Sequence, residues 1–129
     1  MGLLIMPRYE DLPGLAVVYL EDSFVLAIKE NVRGLVFELD AVLTPRHHEY
    51  APPPRNEQYC YRRGKLIFDA AKVTWLARTE ARYTDASGEE DLGNIDVFTF
   101  QGNRYHLEGD WGSVEIETDE QPRFQLSPD

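Results

Sequence analysis

Few side chains in this chain could do chemistry. Cys60 is its one thiol, and with His106 it forms the only pairing from which a thiol nucleophile and base could be made. Arg62, Arg63 and Lys65 stand close enough in sequence to favour a thiolate. Cys60 lies between Tyr59 and Tyr61 in a strand-like run, however, where a free cysteine ordinarily behaves as a small buried hydrophobe. His47-His48-Glu49 offers imidazole and carboxylate, which suit zinc. Adjacent loop histidines reach one ion only through a bent backbone, and no CxxC or HxxxH spacing accompanies them, so exposed loop histidines are the plainer reading. The run Asp85-Ala86-Ser87-Gly88-Glu89-Glu90-Asp91 gathers the oxygen ligands that Ca²⁺ and Mg²⁺ prefer, but it misses the EF-hand frame: its glycine comes fourth instead of sixth, and Asp96 occupies the twelfth place. Solvated loop acids are expected there. Asp40, Asp96 and Asp110 could pair for proton or glycoside chemistry, yet spacing along a chain does not give separation in space. No G-x-S-x-G, P-loop or dinucleotide fingerprint is present. The residue types predict no catalytic group, no metal site and no cofactor.

Binding chemistry is better represented. The chain has a net charge of -10, and between Glu80 and Glu120 twelve acids face two bases, Arg82 and Arg104, while the remaining segments balance. A negative field repels phosphate backbones, so nucleic acid is not an expected partner, whereas a basic protein or a cation is. Solvated outward positions of strands are the plainer source of such charge. If the charge is used, the expected contact residues are Tyr105, Glu108, Asp110, Trp111, Glu115 and Glu117. Tyr105 and Trp111 could stack on a ligand, although aromatic residues of this kind more often anchor a core.

These residues must be positioned by strands. Leu92 to Thr118 reads as a three-strand antiparallel meander turned at Gln101-Gly102-Asn103 and again between Gly109 and Gly112, where two glycines flanking Asp110-Trp111 suit a bulge or tight turn. Leu35, Phe37, Leu39, Ala41 and Leu43 share one face of a period-two strand, and the apolar runs Ala16 to Leu20 and Ser23 to Ile28 precede it across a turn at Asn31 to Gly34, predicting a hairpin. Thr44 to Glu57 carries Pro45, Pro52, Pro53 and Pro54 and is an exposed, partly polyproline-like loop. Tyr59 to Arg62 reads as a short strand, Arg63-Gly64 as its turn and Lys65 to Phe68 as the return. Asp69 to Arg78 alternates through Val73, Trp75 and Ala77 and reads as strand, with helix as the alternative. Asp85 to Asn94 is a second exposed loop, and Arg123 to Leu126 could add an edge strand.

The 129 residues suit one domain with its own core. The expectation is an all-β, mainly antiparallel sandwich or partly open barrel of seven to nine short strands with little helix. Residues 1–14, with Pro7, Pro13 and Gly14, should form no long helix but a short turn around Tyr9 to Leu12, with order beginning near Leu15, and 119–129 should likewise be partly ordered. A single cysteine, no secretory pattern at the first residues and no apolar run of spanning length predict a cytoplasmic protein without membrane attachment.

The succession Tyr61-Arg62-Arg63-Gly64-Lys65-Leu66-Ile67-Phe68, then Gly93-Asn94-Ile95-Asp96, then Tyr105-His106-Leu107-Glu108-Gly109-Asp110-Trp111-Gly112 resembles small bacterial β-rich proteins grouped with polymorphic-toxin immunity proteins. Asp22-Ser23 ahead of the first two strands is similar too. The resemblance implies a bacterial β domain acting as an inhibitor, and it carries no catalytic residue with it. The expected function is therefore a non-enzymatic binding or immunity-like protein presenting an acidic β surface to a basic partner. The alternatives are a small-molecule-binding or enzymatic barrel with a tyrosine-lined pocket closed by the proline loop, and a structural subunit burying an apolar sheet face in a homodimer.

Overall fold

The computed structural model describes residues 7–79, 83–84 and 88–128. Its strands are β1 (Val18–Asn31), β2 (Gly34–Leu43), β3 (Cys60–Asp69), β4 (Lys72–Arg78), β5 (Tyr83–Thr84), β6 (Glu90–Asp91), β7 (Val97–Gln101), β8 (Arg104–Gly109), β9 (Gly112–Glu117) and β10 (Arg123–Leu126). All pair antiparallel: one sheet has the order β1-β2-β3-β10, a second β4-β9-β8-β7, and β5 with β6 forms a short ribbon. The two larger sheets face each other as a sandwich and are not closed into a barrel. Among the described residues, helix is confined to two three-residue 3-10 turns, and no helix is long and apolar enough to cross a membrane.

Period-two alternation decides which side chains fill the space between the sheets. From β2 come Leu35, Phe37, Leu39, Ala41 and Leu43, from β3 Leu66 and Phe68, and from the second sheet Phe98, Tyr105, Leu107, Val114 and Ile116, all buried. Aromatic rings form a continuous chain through this interior. Tyr9 meets Phe98 at 5.6 Å, Phe98 meets Phe68 at 5.9 Å, Phe68 meets Phe37 at 6.3 Å, Phe37 meets Trp111 at 5.2 Å and Trp111 meets Trp75 at 6.0 Å. Tyr9 and Tyr105 are part of this packing.

Two sequence expectations need correction here, and β1 adds a detail. Arg63-Gly64 is not a turn, because β3 runs unbroken from Cys60 to Asp69. Gly64 pairs with Leu39 on one side and Leu126 on the other, and a Cβ there would lie 2.6 Å from the Phe124 ring. Glycine thus makes room for a neighbouring side chain rather than for a bend. The apolar runs on either side of Glu21-Asp22 belong to one strand, β1, with the register to β2 shifting between Tyr19 and Phe24. The hydroxyl of Ser23 closes that bulge by donating to the Tyr19 carbonyl at 2.6 Å and accepting the Val42 N–H at 2.9 Å. Order also begins before Leu15. Tyr9 and Leu12 are buried, the Phe100 N–H donates to the Pro7 carbonyl, and Arg8 bridges Thr99, so the N-terminal segment covers the outer edge of β7.

Nor is the segment expected as a second exposed loop wholly exposed: Glu90–Asp91 pairs as β6, and Asp91 and Leu92 are buried where Leu92 and Gly93 bond the backbone of Val25 on β1. The remaining elements follow the pattern in the sequence. Val73 and Trp75 turn inward from β4, and β7, β8 and β9 form the expected meander. The chain crosses between sheets at Ala70, which adopts φ 50°, and returns after Thr118, whose buried hydroxyl donates to the Asp69 carbonyl at 2.6 Å and ties the two crossings together. Replacing Trp111 by alanine should lower unfolding free energy by about 3–5 kcal/mol, since the lost ring leaves a cavity against two other rings. Leu76→Ala, at a side chain that is 57% exposed, should change it by less than about 0.5 kcal/mol. Urea denaturation of the two variants compares them directly.

Candidate functional site

The expected contact residues divide by face. Along β8 and β9 the inward positions are Tyr105, Leu107, Val114 and Ile116, and the outward ones are Arg104, His106, Glu108, Ser113, Glu115 and Glu117. Glu108, Glu115 and Glu117 therefore share the outer surface of the second sheet. Tyr105 and Trp111 are 4% and 1% exposed and face the core, where no surface partner reaches them.

Register arranges the outer face in rows. Lys72, Glu117 and Arg104 stand abreast on β4, β9 and β8, and Thr74, Glu115, His106 and Thr99 form the next row. Arg104 Nε lies 3.5 Å from Glu117, while His106 has Glu108 at 3.5 Å from Nε2 and Glu115 at 3.7 Å from Nδ1, contacts that attract when the imidazole is protonated. Glu117 is thus answered by a cross-strand pair, while Glu108 and Glu115 are answered only when His106 carries a proton. Beside these rows an open groove of about 340 Å³ is lined by Lys72, Thr74, Leu76, Arg104, Glu115 and Glu117, with Leu76 the exposed apolar member. Sequence reasoning did not single out Leu76, although the alternation of Val73 and Trp75 already puts it on the opposite face; the register to β9 shifts at this residue, and Ala77, expected inward, is exposed.

Asp110 sits apart, in the two-residue turn joining β8 to β9, with Gly109 and Gly112 paired across it. A Cβ on Gly93 would lie 2.9 Å from its carboxylate. The Asp96 carboxyl is pushed above the usual range by burial and then by the charge of Asp110. Asp40 belongs to the other sheet, on β2, where it lies 3.9 Å from Arg63 Nε, so the three aspartates do not converge.

The other sequence candidates are dispersed. Cys60 packs against the core from the inner side of β3, whereas His106 leaves the outer face of β8, so the second sheet separates thiol from imidazole. The His47 and His48 rings stack at 4.8 Å, and His47 Nδ1 accepts the Glu49 N–H at 3.0 Å. Desolvation, then the neighbouring His48, lowers the pKa of His47. Of the acidic loop, Asp85, Ala86 and Ser87 lie outside the described residues. Asp91 is buried and accepts the Gly93 N–H at 2.7 Å, and Glu89 is ion-paired with Arg63. Among the described residues, no group of three or more His, Cys, Asp or Glu side chains is placed to hold a metal ion. No protein-family model, curated protein or solved structure matches the chain.

Asp96 yields a test of this electrostatic map. Between the ordinary carboxylate pKa and its raised value, the folded chain holds a proton that the unfolded chain has released, so stability falls as pH rises through that interval and the deficit persists at neutrality. Asp96→Asn should raise the melting temperature at pH 7 and lose its advantage below about pH 4. The gain should stay under about 1 kcal/mol because the side chain is exposed and water screens the repulsion. Thermal melts of both proteins across that pH range measure it.

Proposed function

We propose that this chain is a non-enzymatic binding protein that takes a basic protein partner on the outer face of its second sheet, acting as an inhibitor of the immunity type. The observation that carries this reading is the groove in which exposed Leu76 is rimmed by Glu115 and Glu117, with Glu108 farther along the same face. An apolar contact surrounded by exchangeable charges is how protein interfaces are commonly built. Exposed ion pairs contribute about 0–1 kcal/mol each, so a partner's lysines and arginines can replace Arg104 as the counterion of Glu117 at little cost and supply one to Glu108 and Glu115, whose neighbour His106 is charged only when protonated. The net charge of -10 adds long-range attraction that accelerates encounter with a basic surface.

The aromatic chain from Tyr9 to Trp75 packs the middle of the space between the sheets, which favours surface recognition over a ligand buried there, while a cleft of about 360 Å³ opens at its edge between Ala27, Ile28, Arg78 and Trp111. The test is a titration of the full chain against a panel of basic proteins at low and physiological salt, with Glu108→Gln/Glu115→Gln/Glu117→Gln and Leu76→Asp as variants. At least one partner should bind saturably, with affinity falling about tenfold or more in the triple variant and as salt rises. Leu76→Asp should weaken the same complex. Absence of any saturable partner, or equal affinity for the wild type and both variants, would overturn the proposal.

A further inference from the structure

A second surface with recognisable chemistry lies on the opposite side of the molecule, on the outer face of the first sheet. Register sets Tyr19, Val42 and Tyr61 abreast on β1, β2 and β3, with Phe24, Asp40 and Arg63 as the adjoining row. These aromatic side chains point away from the core and pack on one another. The Phe24 and Tyr61 rings stack with centroids 6.1 Å apart, Tyr59 meets Tyr61 edge-on at 6.0 Å, and Tyr19 is 45% exposed. The rings cover Val42, which is 1% exposed, and Tyr19 keeps nearly half its surface open to water.

The carboxylates beside them are held in place by the fold. The bulge in β1, closed by Ser23, brings Asp22 to the Tyr59 hydroxyl, which donates to its Oδ2 at 3.1 Å. Asp40 stands in the row next to Tyr61 with Arg63 at its edge, and Arg63 also reaches Glu89. Burial raises the pKa of the Tyr61 hydroxyl first, and the charge of Asp40, with smaller effects from Tyr59, Asp22 and Glu57, raises it further, so the patch lies in a negative field.

Aromatic faces within reach of carboxylates are suited to a cation, and a guanidinium fits better than an ammonium. It is planar, weakly hydrated, stacks on rings and offers a fork of donors to carboxylate oxygens. The chain already shows the stacking half of that geometry at another place, where the Arg78 guanidinium lies 4.4 Å over the Trp75 ring. We propose that the patch formed by Tyr19, Phe24, Tyr59 and Tyr61 takes an arginine side chain of a basic protein partner, the guanidinium on the ring faces and its N–H groups directed to Asp22. This surface belongs to a different sheet from the glutamate face and does not depend on it.

The test is an NMR titration of the full isotope-labelled chain with hexa-arginine and, separately, hexa-lysine. Hexa-arginine should shift the resonances of Tyr19, Phe24, Tyr59 and Tyr61 and bind about fivefold or more tightly than hexa-lysine. Tyr19→Ala, which removes an exposed ring without touching the core, and Asp22→Asn should each weaken it by about fivefold. The Glu108→Gln/Glu115→Gln/Glu117→Gln variant should bind hexa-arginine within about twofold of wild type. Equal affinity for the two peptides, no binding at millimolar peptide, or indifference to Tyr19→Ala and Asp22→Asn overturns the proposal. Binding abolished only by the triple variant overturns it as well, while leaving the glutamate face standing.

Discussion

Trp111 is the side chain on which both sheets close. It occupies a two-residue hairpin turn, a position usually given to small polar residues, yet it is 1% exposed. Its ring reaches Phe37 in the first sheet and Trp75 in the second, and its indole N–H donates to the Asn94 carbonyl at 2.9 Å. Gly109 makes this inward fold feasible, since a Cβ there would come within 2.3 Å of the indole nitrogen and 2.2 Å of the Asn94 carbonyl oxygen. Gly112 has φ 132° and lies against the Ala77 carbonyl, where any side chain would collide. The indole thus joins strand, hairpin and loop with one hydrogen bond and two ring contacts.

Packing of this kind leaves two outer faces for recognition, and they differ in chemistry. The second sheet presents glutamates interleaved with Lys72, Arg104 and His106 around an apolar groove. The first presents rings beside aspartates, positioned by an irregularity in β1. Exposed charge pairs stabilise a fold only slightly, so such residues can exchange partners without endangering the domain. Replacing Phe37 or Trp111, which sustain the core, would instead cost several kcal/mol.

Strand identity was readable wherever side chains alternated cleanly. Leu35 to Leu43 and the meander from Ile95 to Ile116 needed no tertiary information, because one face of each had to be buried. Gly64 misled because glycine marks both a turn and a close approach, and the Phe124 ring that distinguishes them comes from a strand some sixty residues later. The bulge at Glu21-Asp22 left no mark in the sequence, since it is made by Ser23 bonding across to Val42. The acidic segment pointed to Glu108, Glu115 and Glu117 but also to Tyr105 and Trp111, which alternation and a turned-in indole send to the core.

By itself, then, the amino-acid order determined an antiparallel β domain with an apolar interior, and a chain whose excess charge is negative. Those are consequences of local periodicity and composition, which neighbouring residues settle among themselves. Only the tertiary structure decided that Cys60 and His106 are kept apart, that Leu76 lies beside Glu115 and Glu117, and that Tyr19, Phe24, Tyr59 and Tyr61 gather next to Asp22 and Asp40. Each of these depends on sheet order and on the register between strands far apart in the chain, and register moves a side chain from one face to the other with a shift of a single residue.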